Sequence, residues 1–306
     1  MAPKGKKTAK IVDSEWLKGS LAGKVAVVAG ASRGAGRGIA LALGDAGATV
    51  YVAGRTSRNA AKPTDGAPGT IEDTAEEVTR RGGRGIAVQA DCSSEPEVVG
   101  FFDRVGTEQS RLDVLANAVW GANEYFSEEG RKGKLFWELP NTFWQEAMMA
   151  GPYAYLLCNK YAARLMARQR SGLIACITEP VFEKYDRGGS VFWMLWMLGH
   201  RGINRTVEAT SSELKKHKIN IVALAPGWMR TERVLMHTSD KEKKSARFAM
   251  TESTEYVGRA VAALAADSRS LRHSGRLLYV GDLAKQYGFA DVDGRQPHFY
   301  REMKMI

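Results

Sequence analysis

Lys24-Val-Ala-Val-Val-Ala-Gly30-Ala-Ser-Arg-Gly34-Ala-Gly36-Arg-Gly38 is the stretch that decides the fold. Its opening KVAVVA is a short apolar run rich in valine, the pattern of a buried strand. Gly36–Ala46 carries helical periodicity and stops at Gly47. The glycines between them permit a tight turn and let backbone N–H groups approach a pyrophosphate at the positive end of the following helix. Glycines alone are a weak signal. A strand before and a helix after supply the context that a dinucleotide site requires.

Outward from there, apolar runs and helical patterns alternate almost to the end. Strands are expected at Thr49–Ala53, Ile86–Ala90, Leu112–Asn117, Leu173–Ile177, Ile219–Leu224 and Arg276–Val280. Helices are expected at Ile71–Arg81, Pro96–Glu108, Thr142–Met166, Val191–His217 and Glu255–Ala266. This alternation predicts an α/β fold: one doubly wound parallel sheet, covered on both faces, with its ligand crevice at the carboxyl ends of the strands. Residues 1–20 read as a basic flexible arm, on which Trp16 and Leu17 are candidates to dock. Residues 21–294 read as the single domain, with a lid-like insertion at 119–140, and 295–306 as a polar C-terminal tail.

Composition bounds the class. The 306 residues carry 44 Lys+Arg against 34 Asp+Glu, a formal charge of +10, and 44% hydrophobic residues, so wholesale disorder is excluded. No run reaches the ~20 apolar residues of a membrane span, and no apolar core follows the basic MAPKGKKTAK start, as a secretory signal would need. Cys92, Cys158 and Cys176 are odd in number and widely spaced, which suits neither a disulfide framework nor zinc. The expectation is a soluble, metal-free, cytoplasmic protein with no nucleic-acid or membrane partner. The lysines at 4, 6, 7 and 10, at 215, 216 and 218 and at 241, 243 and 244 read as solvated side chains rather than a nucleic-acid face.

The acid expected at the end of the second strand, which would hold a ribose 2′-hydroxyl, is absent; the sequence there is Gly54-Arg55-Thr56-Ser57-Arg58. Arg33, Arg55 and Arg58 are placed to converge on a 2′-phosphate, whose oxygens match a guanidinium fork. That favours NADP(H), although arginines facing solvent would read the same way.

These residues resemble the short-chain dehydrogenase/reductase family over about Leu21 to Gly294. The Gly30/Gly34/Gly36 loop, Asp91 after the third strand, Ala116-Asn117-Ala118 closing the fourth and Pro226-Gly227-Trp-Met-Arg-Thr231 after the sixth carry the resemblance. The ending Gly281-Asp282-Leu-Ala…Asp291-Val-Asp-Gly294 is similar to a branch that includes the DHRS-one-like proteins. The resemblance implies that Gly30, Ser32, Arg33, Gly34, Ala35, Gly36, Arg55, Arg58, Asp91, Asn117, Pro226, Gly227 and Thr231 bind the coenzyme. It also implies a small-molecule substrate and a homodimer or homotetramer, with a hetero-oligomer containing an active family member as the variant case.

The family's proton machinery is replaced. Alignment through Gly202-Ile-Asn-Arg205 puts Trp196 at the position of the family's Tyr, His200 at its Lys, Thr178 or Glu179 at its Ser and Gly151 at its Asn. An indole is a donor that does not exchange its proton usefully near neutrality, whereas acid–base work needs a pKa near the working pH. Glu179, if burial raises its pKa, and Tyr185 in the following loop are the substitute acids; either also reads as a solvated loop residue. His200 is able to donate to a ribose, and would be cationic below about pH 6.5 if unperturbed. The apolar run Val191-Phe-Trp193-Met194-Leu-Trp196-Met197-Leu198 reads as core, as a subunit interface or as a hydrophobic pocket. Trp120, Tyr125, Phe126, Phe136 and Trp137 are candidates to close over it. Three functions remain open at this point: an NADP-dependent oxidoreductase on a bulky apolar substrate, a non-redox cyclase, isomerase or lyase, and a catalytically silent NADP-binding subunit. Tyr300-Arg-Glu-Met-Lys304 repeats the family's Tyr-x-x-x-Lys spacing, and is read as coincidence in a polar tail.

Overall fold

A computed structural model describes residues 15–59, 66–121, 135–180 and 191–304, with the backbone alone at 136 and 191–193. Seven parallel strands, β1 (Val25–Ala29), β2 (Thr49–Gly54), β3 (Arg84–Gln89), β4 (Val114–Asn117), β5 (Gly172–Ile177), β6 (Ile219–Ala225) and β7 (Leu277–Tyr279), form one sheet in the order 3-2-1-4-5-6-7. The order reverses between β1 and β4, where a crevice opens at the strand ends. Register puts Ala29 beside both Ala53 and Asn117, so the ends of β1, β2 and β4 line that crevice together.

Helices cover both faces: α1 (Gly34–Asp45), α2 (Ile71–Arg80), α3 (Glu95–Glu108), α4 (Asn141–Met148), α5 (Ala154–Gln169), α6 (Val191–Lys216), the short α7 (Glu232–His237), α8 (Asp240–Lys243) and α9 (Ala246–Ala249), then α10 (Thr254–Ala266), α11 (Val280–Tyr287) and α12 (Phe299–Glu302). All five residues of β1 and all seven of β6 are buried, as strands sandwiched between helix layers must be. One core layer packs α1 and α10 on the sheet, and the other packs α3, α5 and α6. No helix among the described residues is long and apolar enough to cross a membrane, and none of their His, Cys, Asp and Glu groups could hold a metal. Cys92, Cys158 and Cys176 are free and buried in the second layer.

Three expectations need correction. The helix expected across Thr142–Met166 breaks at Met149–Tyr153, where Gly151 leaves helical geometry (φ −123°, ψ −113°) and Pro152 lacks an N–H to give. Of the N-terminal arm, 15–20 is not free: Glu15–Leu17 forms a 3-10 turn whose Leu17 enters the core, while Trp16 stays exposed. Of the C-terminal segment, 295–304 is not a polar tail, because Phe299 and Tyr300 are buried against the segment after β6.

Candidate active site

The glycine loop is shaped by close approach. A Cβ on Gly30 (φ +78°) would stand 2.7 Å from the Ala118 carbonyl oxygen, and one on Gly36 2.1 Å from that of Gly30. The turn is therefore drawn tightly against the end of β4, and α1 starts at Gly34 with its free amides facing the crevice. The Gly34 N–H, in a left-handed conformation at φ +58°, donates to the Glu232 carboxylate at 2.8 Å. An anion on that amide is what a phosphate would be there, so the cradle fits a dinucleotide. Ser32 and Ala35 are half-buried on the same turn.

The three arginines do not behave alike. Arg33 reaches Thr56 Oγ1 at 3.0 Å and the Gly69 carbonyl at 3.3 Å, beside the end of β2. Arg55 is exposed and has no polar partner among the described residues. Arg58, expected with them, is instead bound to Asp73 and Glu76 at 2.6 Å each, and these carboxylates raise its pKa further. Its guanidinium fork lies along α2 rather than open to a phosphate.

Asp91 closes its own turn, accepting from the Ser93 N–H at 2.9 Å and the Ser93 hydroxyl at 2.6 Å. Asn117 is fully buried; its amide lies 3.5 Å from the Tyr155 carbonyl, and its Oδ1 has no partner. Thr231 caps α7 by accepting from the Val234 N–H. Pro226 and Gly227 are fixed from the carboxyl-terminal side. Tyr300 donates its phenol hydrogen to the Pro226 carbonyl at 2.8 Å, and a Cβ on Gly227 would meet Phe299 at 2.5 Å.

At the end of β5, Thr178, Glu179, Trp196 and His200 form one connected cluster. Thr178 Oγ1 lies 3.1 Å from His200 Nδ1, and the Glu179 N–H donates to the same nitrogen at 3.3 Å. With Nδ1 accepting, the ring hydrogen belongs on Nε2, which is buried without a partner. Burial alone pushes the His200 pKa down to about 3, so the expected cation is a neutral imidazole. Trp196, one turn back on α6, donates its indole N–H to Glu179 Oε2 at 3.0 Å. Burial raises the Glu179 pKa, and this hydrogen bond partly offsets the rise. Asn204 holds the Glu179 carbonyl from the next turn at 3.0 Å.

Trp120, just beyond β4, completes the cluster. It lies parallel to His200 with ring centroids 4.8 Å apart and edge-on to Trp196 at 4.7 Å. Gly199 makes room for it, since a Cβ there would stand 3.0 Å from the indole, whereas one at Gly151 would lie at an ordinary contact distance of 3.5 Å. Met197 is buried, whereas Met194, Leu198 and Trp137 are exposed. Tyr185, Tyr125 and Phe126, and the side chains of Trp193 and Phe136, lie outside the described residues.

Sequence reasoning missed three participants. Trp120 was expected as a lid, not as a partner of His200. Glu232 directly follows Thr231 and carries no signal beyond that adjacency. Glu252 is fully buried below Gly227, and burial raises its pKa to about 8.

The sequence pattern of short chain dehydrogenases matches residues 24–243. The chain is 36% identical to human Dehydrogenase/reductase SDR family member 1 over 294 residues, 93% of this chain and 88% of that protein. The Mus musculus protein of the same name is 37% identical over 89% of this chain and 84% of its own. Among solved structures, a putative dehydrogenase from Xanthomonas campestris superposes with a TM-score of 0.71 at 22% identity, covering 90% of this chain and 93% of that one. A 7α-hydroxysteroid dehydrogenase complexed with NADH and 7-oxo glycochenodeoxycholic acid superposes at 0.67 and 20% identity, over 87% and 95%. By sequence pattern, fold and cradle alike, this chain belongs to the short-chain dehydrogenase/reductase family and is similar to its SDR family member 1 proteins.

Proposed function

We propose that the protein is an NADP(H)-dependent oxidoreductase acting on a bulky apolar carbonyl compound, with the Glu179 carboxyl in the role that the family gives to a phenol. The observation that carries this reading is the Trp196 N–H on Glu179 Oε2 beside a carboxyl whose pKa burial has raised. A carboxyl so placed holds its proton to a higher pH than a solvated one, the direction that general-acid work requires. The indole, unable to give a proton itself, fixes which oxygen stays free to do so.

Gly34 and the neighbouring amides of α1 would hold the pyrophosphate, and Arg33 with Arg55 a 2′-phosphate. His200 Nε2, neutral and unpartnered, is the donor available to a ribose hydroxyl. When bound, the coenzyme would supply hydride-transfer chemistry to a carbonyl carbon. Glu179 gives its proton to the carbonyl oxygen and is reprotonated from solvent, so an alcohol leaves. Leu235 and Met236, exposed on α7 beside Thr231, supply apolar surface for the substrate. Three buried free thiols suit a reducing compartment such as the cytoplasm. Exposed Trp144, Met149 and Leu156 on and between α4 and α5 suit a homo-oligomer.

The test is NADPH oxidation with a panel of bulky ketones, comparing the parent with Glu179→Gln. The parent rate should fall with rising pH as Glu179 ionises. The variant should lose at least about a hundredfold in kcat, a typical general-acid contribution, with the coenzyme Kd unchanged. Equal kcat in both would refute the assignment. A second reading, a coenzyme-binding subunit without turnover, is favoured by the indole covering His200; it predicts NADPH binding with no ketone reduced.

A further inference from the structure

The Glu232 carboxylate sits where the coenzyme reading places a phosphate, and one amide does not serve two anions at once. Gly34 N–H donates to Glu232 Oε2 at 2.8 Å, at the first residue of the twelve-residue α1. A charged acceptor on a helix-terminal amide is among the stronger hydrogen bonds, reinforced by the helix dipole. Two acidic groups that both need this end of α1 therefore exclude each other.

The segment carrying Glu232 is firmly held on one side and loosely on the other. Before it, Arg230 N–H donates to the Glu252 carbonyl at 2.8 Å, Arg230 Nη1 to the Thr251 carbonyl at 2.6 Å, and the Tyr300 phenol to the Pro226 carbonyl. After it, α7, α8 and α9 contain no buried residue between them, and the far end is tied by Arg295 Nη1 donating to the Ala249 carbonyl at 2.6 Å and by Phe248 edge-on to Trp228. Glu232 thus stands where an anchored strap becomes a lightly packed flap of three short helices.

We propose that Glu232 is an internal competitor for the coenzyme's phosphate. It latches the 232–249 flap onto α1 in the free protein, and the pyrophosphate must displace it to bind. The inference rests on the coenzyme reading above and adds to it a residue that lowers affinity. A phosphate arriving at Gly34 replaces the carboxylate, and the flap is released in the same step. Coenzyme binding and flap opening are then one equilibrium, and any change that weakens the latch strengthens binding.

Glu232→Gln and Glu232→Ala test this on the full-length chain by two readouts. The first is hydrogen exchange at the Gly34 amide without coenzyme, which should be faster in the Ala variant. The second is NADPH fluorescence titration, in which both variants should bind about tenfold tighter than the parent, equivalent to ~1.4 kcal/mol. Unchanged exchange would show that the latch is absent. Faster exchange with equal or weaker NADPH affinity would show that the carboxylate does not compete, leaving the coenzyme reading intact. If neither parent nor variants bind NADPH, the coenzyme reading itself fails and the competition with it.

Discussion

The indole of Trp120 lies flat on the imidazole of His200, with the ring planes 1° apart and the centroids 4.8 Å apart. This contact covers one face of the imidazole and helps to keep the ring out of water. Trp120→Ala should therefore raise the His200 pKa from about 3 toward the ordinary value near 6.5. It should also cost about 3 kcal/mol of stability, as removal of a well-packed aromatic does. Imidazole titration by NMR together with denaturant unfolding measures both; a His200 pKa that does not move would show that the indole is not the cause of its burial.

His200 and Glu252 should give the stability curve opposite slopes. Below pH 6.5 the unfolded chain takes up a proton at His200 that the folded protein refuses until about pH 3, so stability is lost as the pH falls through that window. Glu252 acts in the other sense. Between about 4.5 and about 8 the folded protein keeps a proton that the unfolded chain releases, so stability falls as the pH rises. Glu252→Gln, which stays neutral, should flatten the slope between about 6.5 and about 8 and leave the His200 loss unopposed between about 4.5 and 6.5. Unfolding midpoints across pH 5 to 9 (about two decades in proton concentration either side of neutrality) would reveal a parent-like alkaline slope if the assignment is wrong.

The arginines divide by their partners. Arg55→Ala should weaken NADPH binding by about tenfold, the size of one lost charge-assisted contact, while NADH binding barely changes. Arg58→Ala should alter neither, because Asp73 and Glu76 already hold that side chain. Titration of both variants with both coenzymes decides it; a loss of selectivity on removing Arg58 would mean that its ion pairs open for the phosphate.

Restoring the family pair alone should not restore ketone reduction. Trp196→Tyr with His200→Lys leaves Trp120 covering the new lysine and leaves no Asn at 151. Adding Trp120→Ala and Gly151→Asn should produce NADPH-dependent turnover where the double variant has none. Activity in the double variant would show that Trp120 is no obstacle.

The strands and most helices are legible in the sequence because burial on both sheet faces writes continuous apolar runs such as KVAVVA and INIVALA. The break at Gly151-Pro152 is hidden within an otherwise helical pattern. The fate of Phe299 and Tyr300 is hidden because two aromatics among polar neighbours do not say what they pack on. The glycine cradle is a local motif and can be read directly. Trp120, Glu232 and Glu252 act across 80, 198 and 25 residues of chain, to His200, Gly34 and Gly227, and periodicity carries no information about such pairings. Arg58 illustrates the converse: its place in the chain suited a phosphate, but Asp73 and Glu76, one helical turn apart, suited it better.

The fit of Trp120 against Gly151 and Gly199 also constrains how this centre is able to change over time. A methyl group at 199 would meet the indole at a tight 3.0 Å, whereas one at 151 would touch it at an ordinary 3.5 Å. The tryptophan has to give way before position 199 is free to grow, so any change at 199 is tied to one at 120.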